Sequence, residues 1–183
     1  YGTIDLTNAL ANSVNSVFCK IGLKLGAKQI LDTAKRFGFY ERPPLETPLD
    51  ERLPSGLYRN GQLYYPRLDS DVDAGRMAFG QERMLVTPLQ MAMVAGAIGF
   101  GGKLMEPQVV DRIVAPGGKV IERERPRLIR RAVSEKTADA VAAMMRLAVE
   151  RGTGAAVQIS GYSIGGKTGI NHQIVLCFSK CCC

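Results

Sequence analysis

The 183-residue sequence has no tryptophan and a single histidine, His172. A histidine-rich metal centre is therefore excluded. It has five cysteines, but Cys177, Cys181, Cys182 and Cys183 crowd its last seven positions, and Cys19 stands alone. A disulfide framework distributes its cysteines along the chain, so none is expected here. Cys177-x-x-x-Cys181-Cys182-Cys183 does not supply the two Cys-x-x-Cys pairs of a zinc site either, and no metal is expected. There is no basic segment followed by an apolar one at the start, so no signal peptide is read in these residues. The chain also lacks a long apolar run. The uncharged stretch from Met84 to Gly102 is broken by Pro88 and by Gly96, Gly99, Gly101 and Gly102. With Thr87 as N-cap and Pro88 as first helical residue, about 12 helical residues remain, roughly 18 Å. That is too short for about 30 Å of hydrocarbon, so a buried core helix is expected.

What is present describes a folded domain. Hydrophobic residues make up 46% and charged residues 22% of the chain, both ordinary for a globular protein, which excludes intrinsic disorder. The length suits one domain and a core that needs no staple. The net charge is +7, from 24 Lys+Arg against 17 Asp+Glu.

Hydrophobic spacing predicts a short helix at Ala9-Leu10-Ala11, a polar break over Asn12–Ser16, and a helix through Val17, Ile21 and Leu25 that stops at Gly26. A second unit runs from Ala27 to Phe37 and ends at Gly38. Residues 40–75 hold Pro43, Pro44, Pro48, Pro54 and Pro66 without periodicity, which reads as one long loop. Val109–Val114, the turn at Pro116-Gly117-Gly118 and Lys119–Ile121 read as a hairpin. Ser134 caps an amphipathic helix with Ala138, Val141, Met145, Ala148 and Val149 on one face, stopped by Gly152. Tyr162-Ser163-Ile164 begins a short strand. Helices around few strands give an α+β class.

Two elements bear chemistry, Ser13-Val14-Asn15 and Lys167-Thr168-Gly169. Alone, the first reads more simply as a helix break with local capping and the second as a strand end before a turn. Their order and company are more specific. Ala9-Leu10-Ala11-Asn12-Ser13-Val14-Asn15-Ser16-Val17-Phe18, Phe79-Gly80-Gln81, Val86-Thr87-Pro88-Leu89-Gln90-Met91-Ala92, Gly152-Thr153-Gly154 and Gly166-Lys167-Thr168-Gly169 follow one another along the chain. Together, over residues 1–169, they resemble the transpeptidase domain of the penicillin-binding proteins, most like the monofunctional class B type.

The resemblance implies part of a penicillin-binding-protein/serine β-lactamase-like α+β fold: its helical portion and the strand with Lys-Thr-Gly. It implies serine acyl transfer on the D-Ala-D-Ala end of peptidoglycan stem peptides, with β-lactams as mimics and no cofactor. Catalytic roles then fall to Ser13, as a proton relay, to Asn15, as an amide binding the substrate backbone, and to Lys167, as the cation. Thr168 and Gly169 are the substrate-binding residues, through a hydroxyl for the terminal carboxylate and a Cβ-free strand edge. By the same resemblance the whole protein acts at the extracytoplasmic face of a bacterial membrane, anchored among cell-wall synthesis partners.

The chain also departs from the family. No serine is followed three residues later by lysine, so the nucleophile motif is absent from these 183 residues. Ser13 is expected to lack an adjacent general base, and this chain alone is expected to be inactive. Ile170 stands where the family has Thr or Ser, and residues 170–183 are expected to be an unmatched Cys-rich tail from a shifted reading frame or an assembly error. His172 lies in that tail and is expected to be incidental. Cys19, beside Phe18 and Ile21, is expected to be a small buried residue. A serine β-lactamase, a non-catalytic remnant and a basic nucleic-acid-binding module remain the alternatives. The last rests on Arg123, Arg125, Arg127, Arg130 and Arg131, yet Glu122 and Glu124 interleave and no aromatics accompany them, so no nucleic acid is expected as partner.

Overall fold

The computed structural model describes residues 2–169 and 178–180. Helix α1 (Leu6–Ala11) starts where the Asp5 carboxylate accepts from the Asn8 N–H. Helix α2 (Asn15–Arg36) is two helical pieces meeting at Gly26, whose φ of 78° and ψ of 159° interrupt the helix at the predicted stop. Only glycine takes that conformation without a Cβ penalty.

The segment read as a long loop contains structure. Strands β1 (Gly56–Arg59) and β2 (Gln62–Leu63) form a hairpin across Asn60-Gly61, with φ of 52° and 76°. Asn-Gly is the preferred pair for a turn with both central residues at positive φ, so the signal was there beneath the prolines. A single 3₁₀ turn at Asp69–Asp71 and helix α3 (Ala74–Ala78) follow, and α3 packs on α2. Strand β3 (Met84–Leu85) pairs antiparallel with β1 on the side away from β2.

Helix α4 (Pro88–Gly99) keeps its predicted cap: Thr87 accepts from the Gln90 N–H. Met93, Ala95, Ala97 and Ile98 are buried, and no described helix is long and apolar enough to cross a membrane. Strands β4 (Lys103–Met105) and β7 (Leu128–Arg131) pair antiparallel beside it. Between them, β5 (Arg112–Val114) and β6 (Val120–Arg123) form the predicted hairpin. Helix α5 (Glu135–Arg151) begins at Ser134 and buries Ala138, Ala142, Met145, Ala148 and Val149. Strand β8 (Ser163–Gly165) lies on α5 and pairs antiparallel with β9 (Phe178–Lys180).

Two apolar clusters hold these parts together. One gathers Phe37, Phe39, Met93, Ile98, Leu104 and Met145 between α4, α5 and β4. The other gathers Ala27, Leu31, Leu57, Val72 and Met77 between α2, α3 and β1. Leu57 and Leu104 are wholly buried, each contributing about 2 kcal/mol of apolar transfer. The side chain of Gln90 is also buried, and its Nε2 donates to the Phe37 carbonyl over 2.7 Å, tying α4 to the end of α2.

The arginine run is dispersed. Arg130 forms a paired contact with the Glu41 carboxylate, and Arg127 donates to Glu124 at 3.3 Å. Cys19 is half-buried against α3, facing Gly75, rather than fully enclosed as expected. His172 and the rest of the Cys-rich tail lie outside the described residues, apart from the backbone of β9.

Candidate active site

Four helices end in the same backbone motif. After α2, Gly38 N–H donates to Lys35 O and Phe39 N–H to Ala34 O; after α3, Gly80 and Gln81 donate to Met77 O and Arg76 O; after α4, Gly101 and Gly102 donate to Ile98 O and Ala97 O. This Schellman arrangement needs a left-handed residue at its corner, and Gly38, Gly80 and Gly101 have φ of 92°, 84° and 63°. After α1, Ser13 donates to Leu10 O and Val14 to Ala9 O, and the corner residue is Ser13, with φ of 53°. An L-residue there costs roughly 1–2 kcal/mol that glycine does not. The hydroxyl is held at the one corner where the backbone pays most for it.

That hydroxyl meets Lys167. The Lys167 ammonium donates to Ser13 Oγ over 2.7 Å and to the Thr168 carbonyl over 2.8 Å. Among the described residues no carboxylate lies within 4 Å of it. Burial pushes Lys167 below the ordinary lysine value of 10.5, because a half-buried ammonium loses hydration. Ser13 thus has an ammonium donor from a lysine 154 positions away against its hydroxyl, and no local spacing rule reaches that far.

The remaining candidates flank this contact in sequence. Asn15 opens α2, is exposed, and its amide has no hydrogen-bond partner among the described residues. The Thr168 hydroxyl lies 2.9 Å from that of Thr153. Gly169 is exposed at the end of this segment. Thr153 was not singled out as a site residue, although Gly152-Thr153-Gly154 marked the place. Its N–H donates to the Ala11 carbonyl over 3.1 Å, so it ties the end of α1 to the Lys-Thr-Gly segment. Gly152 makes this approach possible: a Cβ there would sit 2.2 Å from the Ala11 carbonyl oxygen. Gly166 N–H donates to Met145 O, which anchors the same segment on α5. Among the described residues no three His, Cys, Asp or Glu side chains cluster to hold a metal.

The turn after α1 and the Lys-Thr-Gly segment beyond β8 thus meet through Ser13 and Lys167 in an α+β fold. The chain matches the penicillin binding protein transpeptidase domain over residues 1–176 and belongs to that family. Peptidoglycan D,D-transpeptidase PbpA of Mycolicibacterium smegmatis is 32% identical over 170 residues, covering 91% of this chain and 32% of that protein. Stage V sporulation protein D of Bacillus subtilis is 26% identical over 175 residues, covering 95% of this chain and 26% of that protein. The chain therefore spans about a third or less of these relatives. The D,D-transpeptidase domain of a peptidoglycan glycosyltransferase from Eggerthella lenta superimposes with a TM-score of 0.71 at 29% identity, covering 92% of this chain and 42% of that one. The imipenem acyl-enzyme of penicillin-binding protein A from M. tuberculosis gives the same TM-score at 28% identity, covering 92% and 36%.

Proposed function

We propose that this chain forms the substrate-holding side of a D,D-transpeptidase site that takes peptidoglycan stem peptides and binds β-lactams. The carrying observation is the 2.7 Å contact between Lys167 Nζ and Ser13 Oγ, two positions before Asn15, whose amide has no hydrogen-bond partner among the described residues. Because Lys167 donates to Ser13, the Ser13 hydroxyl proton is free to point away from it. The adjacent positive charge makes that hydroxyl a better acid, suited to pass its proton to the leaving nitrogen of the scissile amide. Asn15 binds the peptide backbone. Thr168 donates to the terminal carboxylate, and the charge of Lys167 draws that carboxylate in. Gly169 leaves the strand edge open for an extended substrate.

In this reading the attacking serine is not among these residues, since none has lysine three positions on. Residues 1–169 carry the half-site. The whole protein works outside the cytoplasmic membrane, anchored to it with cell-wall synthesis partners. Two measurements test the reading. An acyl-D-Ala-D-Ala peptide is expected to shift the amide NMR signals of Asn15, Thr168 and Gly169; no shift at these positions would sink the proposal. A labelled penicillin is expected to leave no covalent adduct on this chain. A stoichiometric adduct lost in Ser13→Ala would instead make Ser13 the nucleophile, with deprotonated Lys167 as its base.

A further inference from the structure

The β5–β6 hairpin has no place in the transpeptidase reading, and its chemistry is unusual for an exposed element. Every residue of both strands is exposed, and among the described residues each strand pairs only with the other. Val109 is 81% and Ile121 67% exposed, and Val110, Ile113, Val114 and Val120 are exposed beside them. A lone two-stranded ladder is marginal in water, and a cluster of bare branched side chains marks an interaction surface.

The backbone says where a partner fits. Glu124 N–H donates to Asp111 O over 2.9 Å. Asp111–Glu124 is therefore a hydrogen-bonded pair, and the next pair, Arg112–Arg123, is a non-hydrogen-bonded one. In such a pair the side chains lie closest, and the N–H and C=O groups of both residues point to the outer edges. Two guanidinium groups are thus set opposite one another, an arrangement that destabilises the hairpin by itself. Arg112 has only its neighbour Asp111, at 3.8 Å, and Arg123 has no carboxylate within 4 Å among the described residues.

The two edges differ. The register shifts between Ile113 and Val114 and leaves Ile121 as an extra residue on β6. A bulge of this kind blunts an edge. The β5 edge is regular, and residues 108–115 contain no proline, so every position there keeps its N–H.

We propose that the outer edge of β5 docks an extended acidic segment of a partner protein, which adds as a third strand with a carboxylate opposite Arg112 and an apolar residue against Val114. The incoming carboxylate lies where the Arg112–Arg123 repulsion is relieved, and the new ladder takes up the free backbone groups of Arg112 and Val114. A second copy of this chain is the wrong occupant, because Gln108, Val110, Arg112 and Val114, the residues in register on that edge, offer no carboxylate to Arg112. An anionic membrane is also the wrong occupant. Apolar side chains lie on both faces, Glu122 stands opposite Ile113, and lipid supplies no partner for a free strand edge.

The test uses the full 183-residue chain and the peptide acetyl-Glu-Val-Thr-Glu-Thr-Val-Glu-amide, whose central Glu and flanking Val residues share one face, followed by amide hydrogen exchange. The peptide is expected to slow exchange at Arg112 and Val114 and to release as salt is raised. Arg112→Glu is expected to weaken binding roughly tenfold. Arg123→Glu is expected to weaken binding as well, while increasing the hairpin's own protection, because a carboxylate then faces Arg112. This second variant separates lost docking from lost folding. The proposal is overturned if the peptide does not bind, if a lysine-for-glutamate peptide binds as well, or if protection falls on β6 alone. It is equally overturned if phosphatidylglycerol vesicles, or self-association of the chain, protect these amides in place of the peptide.

Discussion

Ser13 holds a backbone position that glycine fills at three equivalent corners of the same molecule. Removing its hydroxyl in two ways separates the backbone term from the contact with Lys167. Ser13→Gly and Ser13→Ala both lose the hydrogen bond, but only alanine keeps a Cβ in the left-handed region. The glycine variant is expected to be about 1 kcal/mol more stable than the alanine variant, read from urea midpoints. Equal midpoints would mean that the corner is not strained. Lys167 gives a second prediction at this scale. Burial lowers its folded-state value below 10.5, so between the two values the unfolded chain binds the proton and the folded chain does not. Stability contributed at this position therefore rises with pH across that window, and below it the burial penalty is fully present. Wild type is expected to gain stability relative to Lys167→Met as pH climbs toward 10.5. Paired urea melts at neutral and alkaline pH check this; a constant difference would remove the titration.

Among the elements, α2 and α3 show packing overruling propensity. Gly22 lies inside α2, where alanine is ordinarily favoured by about 1 kcal/mol. A Cβ there would lie 2.3 Å from the Ala74 carbonyl oxygen and 2.5 Å from Ala78 Cβ. Neither neighbour can rotate away, so Gly22→Ala is expected to lower stability by roughly 1–3 kcal/mol in denaturant titration. A gain would show that α2 and α3 do not touch so closely. Helix starts and stops were legible in sequence at this scale, because capping is local: Thr87, Ser134 and the Gly26 break all stand where the residues put them. Strands β1 and β2 were not, because five prolines between residues 43 and 66 masked a two-residue turn signal at Asn60-Gly61.

For the whole molecule, the decisive contact joins residues far apart in the chain. The end of α1 meets the Lys-Thr-Gly segment only because α5 returns to it at Gly152 and Thr153. Gly152→Ala, with its Cβ 2.2 Å from Ala11 O, is expected to push these parts away from one another and hydrate Lys167. The Lys167 side-chain NMR titration should then move back toward 10.5, even though the substitution lies 15 positions away in sequence. An unchanged titration would mean that the site does not depend on this junction.

The sequence by itself determined the class of fold, the helix caps at Thr87 and Ser134, and the choice of Ser13, Asn15, Lys167, Thr168 and Gly169 as candidates, since each rests on short-range pattern or on motif order. Only the tertiary structure decided that Lys167 stands against Ser13 with no carboxylate within 4 Å among the described residues, that Thr153 joins the end of α1 to the Lys-Thr-Gly segment, and that Arg112 and Arg123 face each other on an exposed hairpin. Those are facts of close approach between distant segments, and a linear pattern carries no distances.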